Sequence, residues 1–185
     1  MSCRLEFVQW VPYPLEQVFL FFADPRNLPR IMPPERGTRI EHLSLAAPPS
    51  GSSHSVQLLR PLAGVGSEIM TSFRIVPPLP FRRRWIARIT EFEWNDHFAD
   101  MQVAGPFAEW LHRHELAADV RNGISGTVVC DRVEYEIGYR VLGIIAQHLF
   151  VERQMRAMFA YRQSVLEQRL RESRFEAGAV GRNAP

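Results

Sequence analysis

The sequence predicts an α+β fold: a curved antiparallel sheet of about seven strands, wrapped around one long C-terminal helix, with two short helices after the first strand. Three observations carry this reading. Two runs, Gly105-Pro-Phe-Ala-Glu-Trp-Leu-His-Arg-His-Glu-Leu116 and Asp131-Arg-Val-Glu-Tyr-Glu-Ile137, alternate in side-chain character as strands do. Turn-forming residues divide the stretch 38–137 into segments rich in β-branched and aromatic side chains. From Tyr139 onward the apolar residues recur at three- and four-residue steps instead.

Taken in order, residues 3–11 predict a strand with Leu5, Phe7 and Gln9 opposite Glu6, Val8 and Trp10, ended by Pro12 and Pro14. Residues 15–22 have the apolar density of a short buried helix that Asp24-Pro25 stops. Asp24 then caps a second short helix over 25–32, and Pro33-Pro34 terminates it. Residues 38–45 predict a strand. The Pro/Ser/Gly-rich stretch 47–55 predicts a loop, and 56–60 a short additional strand.

Residues 67–76 predict a strand with Ile69, Thr71, Phe73 and Ile75 on one face; 83–94 predict a long one with Trp85, Ala87 and Ile89 inward. Asn95-Asp96 is a turn, 98–103 returns, and the two alternating runs follow, joined at Arg121-Asn122-Gly123. Leu142, Ile145, Leu149, Met155, Phe159, Leu166 and Leu170 mark one amphipathic helix over about 142–171. The domain is expected to span 1–171, with 172–185 a disordered tail.

Composition excludes several function classes. The chain of 185 residues is 46% hydrophobic and 23% charged, ordinary for a single globular domain. A net charge of +2 does not indicate a nucleic-acid partner. The basic run Arg82-Arg83-Arg84 reads as a solvated turn, with contact to an anionic group as the alternative. All 22 basic residues are arginine, so Schiff-base, pyridoxal-phosphate and P-loop lysine chemistry are excluded. The 2 cysteines, Cys3 and Cys130, have neither metal nor redox spacing, and Cys130 reads as a small core residue. No signal peptide is visible and the run 141–151 is too short to span a bilayer, so the expectation is a cytoplasmic protein without stable membrane insertion.

The alternating runs bear the candidate site. One face carries Trp110, His112, His114, Leu116, Asp131, Val133, Tyr135 and Ile137, and the other is charged. Buried imidazoles, a carboxylate and a phenol are costly unless paired or used, so this inner face reads as the wall of a cavity. His112 and His114 point the same way. With Asp131 or Asp100 they match a two-His, one-carboxylate metal set, but the reading taken is mutual hydrogen bonding, with no metal and no cofactor. An intermediate reading gives His112, His114 and Asp131 acid–base work, with Tyr135 donating to a carbonyl and Asp100 or Gln102 orienting a hydroxyl. Arg162 faces the sheet if the helix packs through Met155, Met158 and Phe159. It then anchors a ligand carboxylate or pairs with Asp131 or Glu134. Trp85, Phe92, Phe98, Phe107 and Trp110 are core, and a subset lines the cavity. No Ser–His–Asp triad, dinucleotide glycine pattern or phosphate loop is present.

The order of elements resembles the helix-grip superfamily known as SRPBCC over about residues 3–170. Within it, the chain is most similar to bacterial ligand-binding SRPBCC domain proteins. The resemblance rests on Trp85-Ile-Ala-Arg-Ile89, Phe98-Ala-Asp-Met-Gln102, Gly105-Pro-Phe107, Trp110-Leu-His-Arg-His114, residues 127–135 and Phe159-Ala-Tyr-Arg162. A proline commonly follows the strand of Tyr135 in that pattern; Gly138-Tyr139 stands there instead. The superfamily includes START lipid-transfer domains, the birch-pollen-allergen group, polyketide cyclases and aromatases. What the resemblance implies is a cavity between sheet and helix for a small hydrophobic or amphipathic molecule; the reading taken for the protein is a non-catalytic carrier or sensor. Two alternatives stand beside it: a polyketide cyclase, aromatase or dehydratase-like enzyme, and a regulatory module that binds proteins through Arg113, Glu115, Arg132 and Glu134. An exposed edge strand leaves a homodimer open, and Ile31, Met32 and residues 47–64 are placed to act as a lid.

Overall fold

The structure is a computed structural model whose described residues are 2–50, 61–76, 79–138 and 144–180, the side chains of 144–148 and 174–180 excepted. Strand β1 (Ser2–Val11) leads into helix α1 (Leu15–Ala23) and two 3-10 turns (Pro25–Ile31 and Pro34–Arg36). Strands β2 (Arg39–Ser44), β3 (Glu68–Arg74), β4 (Arg82–Glu93), β5 (His97–Ala104), β6 (Glu109–Arg121) and β7 (Ile124–Glu136) follow, and helix α2 (Ile144–Val180) ends the chain. The strand expected over 56–60 lies outside the described residues.

The sheet is antiparallel throughout, in the order β1-β7-β6-β5-β4-β3-β2. Six consecutive strands form a meander, and β1 closes its far edge by pairing with β7. Register shifts occur between β2 and β3 at Ile40/His42, and between β4 and β5 at Ile86/Ala87 and Ile89/Glu91. Such irregularities bend a sheet and increase its twist. The β6–β7 turn is Asn122-Gly123, with φ of 51° and 76°. Both are left-handed, as a two-residue hairpin turn of the right twist requires.

Helix α2 lies against the concave face. Its residues Met155, Phe159, Arg162, Leu166 and Leu170, spaced at helical steps, are all buried. Side chains tie it down: Gln9 Nε2 donates to the carbonyl of Gln163 at 2.9 Å, Gln17 Nε2 to that of Leu170 at 3.0 Å, and Arg169 Nε to that of Arg30 at 3.1 Å. Asp24 caps the first 3-10 turn by accepting from Arg26 N at 3.1 Å.

The apolar interior falls into two clusters. One gathers Val18, Phe19, Phe21, Ile31, Phe92, Phe98, Leu166 and Leu170 beneath α1. The other gathers Leu5, Trp110, Val133, Tyr135, Met155 and Phe159. Phe7 of β1 stacks on Phe159 of α2, with centroids 4.2 Å apart and planes at 5°.

Four expectations are corrected. Helix α2 does not end near Arg171 but continues to Val180, and Ser173 is buried within it. No proline interrupts that stretch, and its alanine, arginine and glutamate favour helix without an apolar period. Leu149 is 65% exposed, so the apolar stripe begins later than the spacing indicated. Cys130 sits half-buried, opposite Val8 and Glu115, because it alternates with the inward Asp131. The Arg82-Arg83-Arg84 run opens β4 instead of forming a turn; Arg83 and Arg84 are exposed as expected, but Arg82 donates from Nε to Ser72 Oγ at 3.0 Å and from Nη2 to the carbonyl of Gly37 at 2.7 Å.

Candidate functional site

Bent sheet and helix together enclose a cavity of about 1350 Å³. Its floor comes from alternate residues of three strands: Ile69, Thr71, Phe73 and Ile75 along and just after β3, Trp85, Ala87 and Ile89 of β4, and Trp110, His112 and His114 of β6. Helix α1 and the first 3-10 turn add Phe21, Phe22, Asn27, Leu28 and Ile31, and α2 closes the roof with Met155, Met158, Phe159 and Arg162. Exposed Arg83, Arg84, Gly105, Pro106 and Phe150 belong to the same wall and mark its solvent side. The indoles of Trp85 and Trp110 meet edge to face at 4.8 Å, and Phe107 packs against both.

Three buried polar side chains, His112, His114 and Asp131, meet where β5, β6 and β7 lie side by side. Register puts Asp100 opposite His112 and His114 opposite Asp131. His112 is 7% exposed, His114 5% and Asp131 4%. One oxygen, Asp131 Oδ1, accepts from Nε2–H of His112 at 3.1 Å and from Nδ1–H of His114 at 2.6 Å. Asp100 Oδ2 lies 3.5 Å from the other nitrogen of His112. From α2, Arg162 Nη2 comes within 3.7 Å of Asp131 Oδ1 and 3.4 Å of His114 Nδ1. The guanidinium also lies over the ring of Phe22 at 4.8 Å.

These neighbours set the charges. Burial pushes His112 down, but the carboxylates of Asp100 and Asp131 outweigh it and raise its pKa, which favours the imidazolium. His114 is pushed down to about 4 by burial and by the adjacent His112 charge, so it is neutral. Burial alone would raise Asp131, yet Arg162 and the two imidazoles hold its carboxyl well below the usual range. Two carboxylates thus face the His112 ring and the Arg162 guanidinium, and the neutral His114 ring stacks at 4.3 Å on Phe98.

Among the residues singled out in sequence, Trp85, Phe98, Asp100, Phe107, Trp110, His112, His114, Met155, Phe159 and Arg162 all line the cavity. Asp131 stands behind the histidines and is not in the wall. Tyr135 is buried in the second cluster, away from the wall, across from Cys3 of β1. Gln102 turns back on its own loop, donating to the carbonyl of Phe107 at 2.8 Å and accepting from Phe107 N at 3.3 Å. Phe22, Arg36 and Gln154 line the cavity without having been read as site residues. Arg36 Nη2 donates to Gln154 Oε1 at 2.7 Å, bridging the second 3-10 turn to α2. No local pattern reveals such a pair, because 118 positions separate its members.

No family model matches this chain, and no curated protein matches it. Solved structures do. TTHA0849 from Thermus thermophilus superposes with a TM-score of 0.60 at 16% identity, over 92% of this chain and 99% of that one. Ginseng major latex-like protein 151 from Panax ginseng gives 0.54 at 14% identity, over 91% and 97%. Ara h 8.0201 gives 0.53 at 12% identity, over 89% and 97%. The chain has the helix-grip fold, as the order of its elements implied. Identity this low speaks for the fold alone. Among the described residues no helix is long and apolar enough to cross a membrane.

Proposed function

We propose that the protein binds a small amphipathic molecule, largely hydrocarbon, in the cavity between sheet and helix, as a non-catalytic carrier or sensor. The observation that carries this reading is the cavity itself: about 1350 Å³, with Phe, Trp, Ile and Met prominent in its wall and a largely buried polar cluster of Asp100, His112, His114 and Arg162 on one side of it. Binding sites of small molecules are concave and mostly apolar, with few polar groups that fix orientation. Trp110 Nε1 and Arg162 Nε are buried and have no hydrogen-bond partner among the described residues. A buried donor left unpaired costs about 1–3 kcal/mol. An oxygen on the ligand would satisfy such a donor, which favours an amphipathic molecule over a pure hydrocarbon.

The test is binding of an environment-sensitive apolar probe, with solvent extraction of the purified protein to identify what it carries. Ala87 lies on the cavity floor, so Ala87→Phe fills the space from within. Loss of probe binding in a variant whose circular dichroism is unchanged is the expected result. A variant that binds as well as the parent would put the ligand elsewhere and end this reading.

A second reading, a cyclase or dehydratase acting on a ring-forming carbonyl substrate, is favoured by one observation: both imidazoles belong to the cavity wall, within reach of a bound molecule. The two readings separate cleanly. For a carrier, His112→Ala keeps ligand affinity within about tenfold, or 1.4 kcal/mol. For an enzyme, turnover collapses while binding is retained.

A further inference from the structure

We infer that Asp100, His112 and His114 form a binding site for a late first-row divalent metal ion, with Asp131 as the carboxylate that orients both imidazoles. One donor atom from each of the three lies within 4.8 Å of the other two. The placement follows from the sheet. Asp100 and His112 are directly paired on neighbouring strands, and His114 is the next residue of β6 on the same face.

The arrangement around the three is that of a metal site with its outer partners in place. Metal-bound histidines generally donate their other N–H to a carboxylate, which fixes ring and tautomer. Here Asp131 Oδ1 receives His112 Nε2–H and His114 Nδ1–H together. That commits one nitrogen of each ring and leaves His112 Nδ1 and His114 Nε2 to offer. His112 Nδ1 lies 3.5 Å from Asp100 Oδ2. A nitrogen lone pair facing a carboxylate oxygen needs a positive charge between them, and either a proton or a metal ion can supply it. Arg162 approaches His114 at Nδ1, the committed nitrogen.

Two imidazole nitrogens and one carboxylate oxygen suit Fe, Co, Ni or Zn in the divalent state; Mg and Ca prefer all-oxygen shells. Three protein ligands leave further positions open, and all three residues line the cavity. A metal held there would meet whatever the cavity contains. The inference goes beyond binding of an amphipathic ligand, which stands if no metal binds.

The test uses tag-free, chelator-stripped protein in a Cys3→Ser/Cys130→Ser background, titrated with Co(II) and followed by its visible d–d absorption. The expected result is one Co(II) per chain, displaced by Zn(II). Asp100→Asn and His114→Gln should abolish the bands, and Asp131→Asn should weaken affinity by about 10–100-fold. Asp100 is less buried than the histidines, so Asp100→Asn with an unchanged circular dichroism spectrum decides the matter if the histidine variants do not fold. Absence of stoichiometric binding up to ~1 mM Co(II), or binding that Asp100→Asn leaves unchanged, overturns the inference.

Discussion

Nδ1 of His114 lies 2.6 Å from Oδ1 of Asp131, the residue directly opposite it on the neighbouring strand. The same oxygen receives His112 and faces Arg162 at 3.7 Å, so one buried carboxylate holds three groups from two secondary structures. Breaking a buried charge cluster from one side strands the remaining charges without solvent. Asp131→Asn keeps the shape and removes the anion, leaving the Arg162 guanidinium without its carboxylate and His112 with Asp100 alone. It should lower unfolding stability in urea by about 3–5 kcal/mol. Arg162→Met added to it should cost much less than it does alone, because Arg162 then has no anion to lose; contacting residues typically couple by about 0.5–3 kcal/mol. Additive losses would show that the helix and the sheet do not communicate through this pair.

Gln102 and Gly105 are coupled in a second way. A Cβ on Gly105 would come within 2.1 Å of Gln102 Oε1, the atom that accepts from Phe107 N. The glycine therefore lets Gln102 hold both backbone groups of Phe107, whose ring belongs to the cavity wall. Gln102→Ala should cost about 0.5–1.5 kcal/mol per hydrogen bond lost. It should also weaken probe binding severalfold, because Phe107 loses its fixed position. If probe affinity is unchanged while stability falls, the clamp serves folding only.

Much of this is legible in the chain. Period-two alternation places His112, His114 and Asp131 on one inner face, since a strand leaves no other choice once one face is buried. It also tells Arg113 and Glu134 apart from them. Alternation cannot tell which inward residues reach a cavity and which are covered. Tyr135 and Gln102 point inward by pattern, yet Tyr135 is packed behind Phe107 and Gln102 is spent on its own turn. Arg36 and Gln154 meet only because α2 crosses the second 3-10 turn, and nothing local announces a tertiary pair. An apolar run around Cys130 suggests core, but the same alternation, applied to it, turns its side chain away from the inner face.

Gly126 marks where β1 presses on β7. A Cβ there would stand 2.4 Å from the carbonyl oxygen of Val11 and 2.5 Å from Cζ2 of Trp10. Neither is a freely moving side-chain end, since the Val11 atom is backbone and its own side chain is fully buried. Gly126→Ala should destabilise the fold by about 1–3 kcal/mol, although alanine ordinarily suits a strand better than glycine. Thermal unfolding of that variant measures it. A neutral or stabilising result would mean that the β1 edge can shift without cost.

Tyr135 offers a pH test of the second apolar cluster. Burial, and then the neighbouring Cys3, push its phenol from the ordinary 10.0 up to about 12. The native state thus keeps a proton that the unfolded chain gives up first. Between about pH 10 and 12 the unfolded state binds fewer protons, so stability must fall as pH rises through that window. Phenolate absorbance should show a late ionising step in native protein that disappears in urea. Tyr135→Phe should remove both the late step and the part of the alkaline instability that belongs to it. A native titration in which Tyr135→Phe changes nothing would mean that its hydroxyl meets solvent, contrary to its place beneath Phe107 and Met155.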